Sequence, residues 1–172
     1  MRKCFYVFII YIFSFTPLWS AEDPYQAIGF WKTMDSKEAF TTSVIAVYQY
    51  DGALYGRVIV GYNEKNGKLE ETWENPVKRI EKLSSKPLLL EVDLFWGHTL
   101  EENTWKGGRI VDPRTGYSFS SDIWIENEML VLRGKFGPFG VRQLFYKADI
   151  TDMPPYLDFP DLNTFRPLPI PK

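Results

Sequence analysis

Hydrophobic and polar positions alternate along this chain in short runs, each closed by turn-forming residues. Residues 42–50, Thr-Ser-Val-Ile-Ala-Val-Tyr-Gln-Tyr, are β-branched and aromatic enough to predict a strand. Asp51-Gly52 follows, a pair that tolerates positive φ at both positions of a tight hairpin turn. Residues 54–62 return as the partner, with Leu54, Gly56, Val58 and Val60 on one face and Tyr55, Arg57 and Ile59 on the other. Residues 104–111 and 117–125 form a second strand pair around Asp112-Pro113-Arg114-Thr115-Gly116. In that turn proline presets φ, aspartate bonds back to the backbone and glycine takes a positive φ. Residues 28–33, 88–96, 129–136 and 141–149 complete the strands, with turns at Asn127-Glu128 and at Gly137-Pro138-Phe139-Gly140. Residues 63–86 are polar, acid-rich and broken at Asn66-Gly67 and Asn75-Pro76; residues 77–83 are expected to make one helical turn. About eight short strands joined by tight turns, with almost no helix, predict an all-β antiparallel barrel or sandwich.

The first 21 residues stand outside that pattern. Arg2 and Lys3 precede an apolar run over residues 5–15, Thr16 and Pro17 break it, and Ser20-Ala21 supply small residues for cleavage. This is the layout of a secretory signal peptide, and the run is short for a membrane-spanning helix. Residues 1–21 are therefore expected to be cleaved, leaving an exported, periplasmic or secreted protein with no integral membrane span. The single cysteine, Cys4, leaves with the signal, so no disulfide or thiol chemistry is expected in the mature chain. Loss of Arg2 and Lys3 moves the formal net charge from −2 to about −4. A mildly acidic chain without basic clusters excludes the nucleic-acid binder and the polybasic membrane binder.

A set of motifs runs through the chain between residues 28 and 147. They are Gly29-x-Trp31-Lys32-Thr33, Asp51-Gly52-x-Leu54-x-Gly56-Arg57-Val58, Asn75-Pro76, Leu130-x-Leu132-Arg133-Gly134 and Gly140-x-x-Gln143. The most specific is Trp105-x-Gly107-Gly108-Arg109-Ile110-x-Asp112-Pro113-x-x-Gly116-x-x-Phe119. With these the chain resembles an exported bacterial family of lipocalin-like, calycin-type small barrels, a domain of unknown function. The resemblance implies an up-and-down lipocalin-like barrel, placed in residues 22–150, and a proline-rich extension follows over residues 151–172. It implies no catalytic residue and no cofactor. It also implies an arginine packed over the N-terminal tryptophan to close one barrel end, and Arg142 is the candidate to cover Trp31. The family usually ends in tryptophan and arginine where this chain has Phe145 and Lys147.

Aromatic residues make up 17% of the chain, enough either to line a cavity or to fill the barrel solidly. If the barrel is hollow, the residues expected at a ligand are Trp31, Arg57, Trp105, Arg109, Tyr117, Phe119 and Arg133. The other chemical candidates have simpler readings. His98 is the only histidine and is read as a solvated loop residue, since one imidazole without converging carboxylates does not make a zinc site. Glu64, Glu70, Glu71 and Glu74 lack the spacing of a calcium loop and are read as a solvated acidic loop. The glycines from Gly134 to Gly140 lead into a strand, so they form a turn and not a phosphate loop. Asp112, Asp122 and Glu126, which an acid/base enzyme would pair with Arg109, are read as turn and strand-end residues, and no enzyme is expected.

The extension holds half of the chain's prolines together with Tyr156, Phe159 and Phe165. Two readings stand: an ordered strap that buries its aromatics on the barrel, or a polyproline segment displayed to an envelope protein. The expected function is likewise twofold. The first reading is an envelope protein holding one small hydrophobic, lipid- or fatty-acid-like ligand inside the barrel. The alternative is a structural or protein-interaction module with a filled barrel, acting through its surface or tail.

Overall fold

The computed structural model describes residues 22–35, 40–137, 139–168 and 170. The signal-peptide expectation for residues 1–21 lies outside them.

Nine antiparallel strands form: β1 (Gly29–Met34), β2 (Thr41–Tyr50), β3 (Ala53–Tyr62), β4 (Leu69–Thr72), β5 (Phe95–Glu101), β6 (Thr104–Val111), β7 (Ser118–Glu126), β8 (Met129–Phe136) and β9 (Phe139–Lys147). Eight of them close into one ring in the order β2-β1-β9-β8-β7-β6-β5-β3, and β3 returns to β2. The short β4 pairs with the far end of β3, outside the ring. Closure removes the open edges that a flat sheet of this size would present. Its narrowest seam is between β1 and β9, where only Trp31 faces Lys147 and Lys32 faces Tyr146. The turns follow the local chemistry. Asp51 and Gly52 both have positive φ, 48° and 78°, as the tight β2–β3 hairpin requires. Asp112 closes its turn by accepting the Arg114 N–H at 2.9 Å and the Thr115 hydroxyl at 3.1 Å.

One end of the barrel is packed solid. Trp31, Val47, Leu54, Trp105, Ile123, Leu130 and Phe145 meet there from seven strands. A 3-10 turn at Pro24–Ala27 plugs this end: Trp31 donates its indole N–H to the Ala27 carbonyl at 2.8 Å, and Trp105 to the Pro24 carbonyl at 2.9 Å. Each buried indole therefore has the polar partner its burial requires. A second apolar cluster lies outside the ring, where Phe30, Val44, Ala46, Val60 and Tyr62 meet Met153, Leu157, Phe159 and Phe165. The extension thus runs across the outer face of β1, β2 and β3, with Phe159 stacked on Phe30 at 4.2 Å between ring centres.

Two expected elements differ. Residues 88–96 form a strand only at their end: Leu89–Glu91 is a 3-10 turn, and β5 begins at Phe95. The alternation of Leu88, Leu90 and Val92 reflects burial against the barrel rather than strand pairing, for Leu90 and Val92 are buried. Residues 77–83 do not make a helical turn; Arg79 bridges Leu88 instead, in a small antiparallel excursion.

Candidate functional site

The end opposite the plug is hollow. A cavity of about 600 Å³ opens between the 63–94 and 112–117 connections, within the usual size of small-molecule sites. Its walls are Ile45, Val58, Phe95, Ile110, Phe119, Leu132 and Phe145, inward-facing on the ring, with Leu94 before β5 and with Gly134 leaving space on β8. A Cβ at Gly134 would meet nothing nearer than Ile110 at 3.9 Å. Polar groups gather toward the mouth: Thr33, Thr42 and Ser43 on β1 and β2, Gln143 on β9, and Glu64, Glu71, Lys78, Asp112 and Arg114 on the connections and β4. The hydroxyls are mutually satisfied, with Thr33 Oγ1 2.7 Å from Thr42 Oγ1 and 2.6 Å from Ser43 Oγ.

Glu71 is the exception among the polar groups. It lines the cavity yet is only 2% exposed. Its Oε2 accepts the backbone N–H groups of Val77 and Lys78, each at 2.9 Å, while buried Oε1 has no hydrogen-bond partner among the described residues. The expectation of a solvated acidic loop therefore fails for Glu71, although Glu64 and Glu74 are exposed. The side chain is drawn inside because β4 lays it over Gly61, where a Cβ would stand 3.0 Å from its Cγ.

Of the residues expected at a ligand, Phe119 lines the cavity. Trp31 and Trp105 face inward but lie in the packed end. Arg57, Arg109 and Arg133 point outward because their neighbours Gly56, Val58, Ile110, Leu132 and Gly134 face inward, and successive strand residues alternate. Arg57 forms an ion pair with buried Asp93 at 3.0 Å. Arg109 donates to the Ser118 hydroxyl at 2.9 Å, Arg133 is exposed, and Tyr117 is 69% exposed at the rim. Arg142 does not cover Trp31. It sits over Trp124, paired with Glu126, and Lys147 stands 4.5 Å above the Trp31 ring. The pairing of β1 with β9 puts position 147 directly opposite Trp31, which position 142 cannot reach. Burial lowers the Lys147 ammonium below the usual lysine range.

His98 is fully buried inside the ring and not in a loop. It packs edge-on to Phe95, shares a 2.8 Å hydrogen bond with Ser121 Oγ, and occupies the space left by Gly108, where a Cβ would lie 2.2 Å from the ring. Burial pushes its pKa down to about 4, so the ring is neutral at pH 7. The acids considered for acid/base chemistry each have a local partner: Asp112 its own turn, Asp122 an ion pair with Lys135 at 2.6 Å, Glu126 the Trp124 indole at 2.9 Å. Among the described residues no group of three or more His, Cys, Asp and Glu side chains is placed to hold a metal ion. No described helix is long and apolar enough to cross a membrane.

Residues 29–147, from the first strand of this barrel to the last, match the family described as "Uncharacterized protein conserved in bacteria (DUF2147)". The chain belongs to that family. The DUF2147 match ends at Lys147, so the strap over the outer face lies beyond it. The fold is similar to that of protein HP1028 from the human pathogen Helicobacter pylori, described as belonging to the lipocalin family. The TM-score is 0.56 at 12% sequence identity, over 73% of this chain and 85% of that one. That likeness shows a shared lipocalin-like barrel. No curated protein matches the DUF2147 chain in sequence.

Proposed function

We propose that this protein is a non-enzymatic binding protein of the bacterial envelope, exported by residues 1–21, that holds one small and mostly apolar molecule in its barrel. The observation that carries the reading is the asymmetry of the interior. One end is packed and plugged, while the other keeps an open cavity of about 600 Å³ with apolar walls and a polar mouth. A barrel that needed only stability would gain by filling that space, since unfilled apolar volume forfeits contacts.

The test is native mass spectrometry of protein purified from its own envelope without detergent, followed by denaturing extraction. A stoichiometric apolar molecule released on denaturation is the expected result. Gly134→Leu provides the matching control, because its side chain grows into the cavity from a position with room for it. The variant is expected to keep its melting temperature and lose the bound molecule. A clean apo mass, with no thermal shift across fatty acids, phospholipids and neutral or cationic amphiphiles, overturns the carrier reading. It would favour a surface-acting interaction module instead. The observation on that side is the pair of exposed apolar residues Leu144 and Tyr146, on the outer face of β9.

A further inference from the structure

We propose that the molecule held in the cavity carries a cationic hydrogen-bond donor, an amine on an apolar chain, and that Glu71 receives it. This rests on the carrier reading above and specifies its ligand.

Three observations converge. The Glu71 carboxyl is fixed: Oε2 is tied to two consecutive backbone N–H groups, and Gly61 lies against Cγ and Oε1, leaving the side chain little room to turn. Its second oxygen is buried without a donor, a condition that costs free energy unless a partner arrives. The charges around the cavity are unbalanced in the same sense. Its two lining cations are already engaged, Arg114 with Asp112 at 3.4 Å and Lys78 with Glu70. Among the described residues no ion pair reaches Glu64 or Glu71, so the described lining retains an excess of acid. An anionic head would meet that excess and an unpaired acceptor. An ammonium head answers both, and the walls formed by Ile45, Val58, Phe95 and Ile110 take the chain.

The test holds the chain constant and varies the head. Decylamine, decanol and decanoate are titrated into the delipidated protein by isothermal calorimetry at pH 7, below their aggregation limits. The expected order places decylamine first by about tenfold or more, the scale of a hydrogen bond to a charged group. In Glu71→Gln, which keeps an oxygen for Val77 and Lys78 and turns a donor toward the cavity, that preference is expected to disappear. Equal binding of the three, or decanoate binding tightest, overturns the head-group assignment and leaves the carrier reading standing. So does an amine preference that survives in Glu71→Gln. Absence of binding by all three overturns the carrier reading, and the assignment falls with it. If Glu71→Gln does not fold, the wild-type order of the three heads still decides the class of ligand.

Discussion

His98 shows how far a side chain's surroundings outweigh its type. Held neutral at about 4 inside the barrel, it lies well below an unfolded histidine at 6.5. Between those values the unfolded chain binds more protons, so stability is retained above pH 6.5 and lost as the pH falls toward 4. The full effect is roughly 3 kcal/mol. Urea melts of wild type and His98→Gln at pH 7, 5 and 4 check it: the wild type is expected to lose more over that range. Gly56 presents the packing counterpart. A Cβ there would lie 1.9 Å from the Phe95 ring, so Gly56→Ala is expected to cost about 1–3 kcal/mol or more, read as a lowered urea midpoint. Neither role was visible in the sequence. Glycine in a strand signals a close approach without naming the neighbour, and a lone histidine beside two glutamates looks solvated until the register turns it inward. The lysine over Trp31 was half visible, since Lys147 was seen to stand in the expected arginine's neighbourhood. Lys147→Ala is expected to cost about 0.5–2 kcal/mol, with recovery in Lys147→Arg, by the same melts.

At the scale of elements, the alternating runs and their turns marked seven of the eight ring strands, because a pleated wall with one face inward leaves period two in the sequence. The eighth was displaced. Residues 88–94 alternate equally well, yet they pack around the barrel, and Gly97, with φ of 74°, breaks the pattern inside the real β5. The small β4, which carries Glu71, is too short to signal itself among polar neighbours. The strap is held by two buried carboxylates that sequence reasoning had not paired. Asp152 accepts the Lys32 ammonium at 2.8 Å and the Thr41 hydroxyl at 2.7 Å. Asp93 accepts Arg57, the Tyr48 hydroxyl and the Leu168 N–H, and Arg57 also donates to the Arg166 carbonyl at 2.7 Å. Burial raises the Asp93 carboxyl above its usual range against the pull of these partners. Removing the cation with Arg57→Ala leaves a buried acid short of its partner and is expected to cost about 3 kcal/mol. In that variant limited proteolysis is expected to begin in residues 160–168, which lose the Arg57 hold on the Arg166 carbonyl.

For the whole molecule, the barrel was legible and its hollow half was not. The composition allowed either a lined cavity or a solid core, and only the register separates Trp31 and Trp105, buried deep, from Phe119, which lines the cavity. The export proposal has its own check. N-terminal sequencing of protein recovered from the envelope is expected to begin at Glu22.

The narrow seam between β1 and β9 has a kinetic consequence. The ring closes where its first strand meets its last, so no partial chain ending before Tyr146 can complete it. Until then the sheet carries two unsatisfied edges, open to pairing with another chain. Closure by contacts this remote in sequence is slow, on the order of milliseconds to seconds for all-β topologies. A chain still being synthesised therefore keeps both edges open until its last strand has been made.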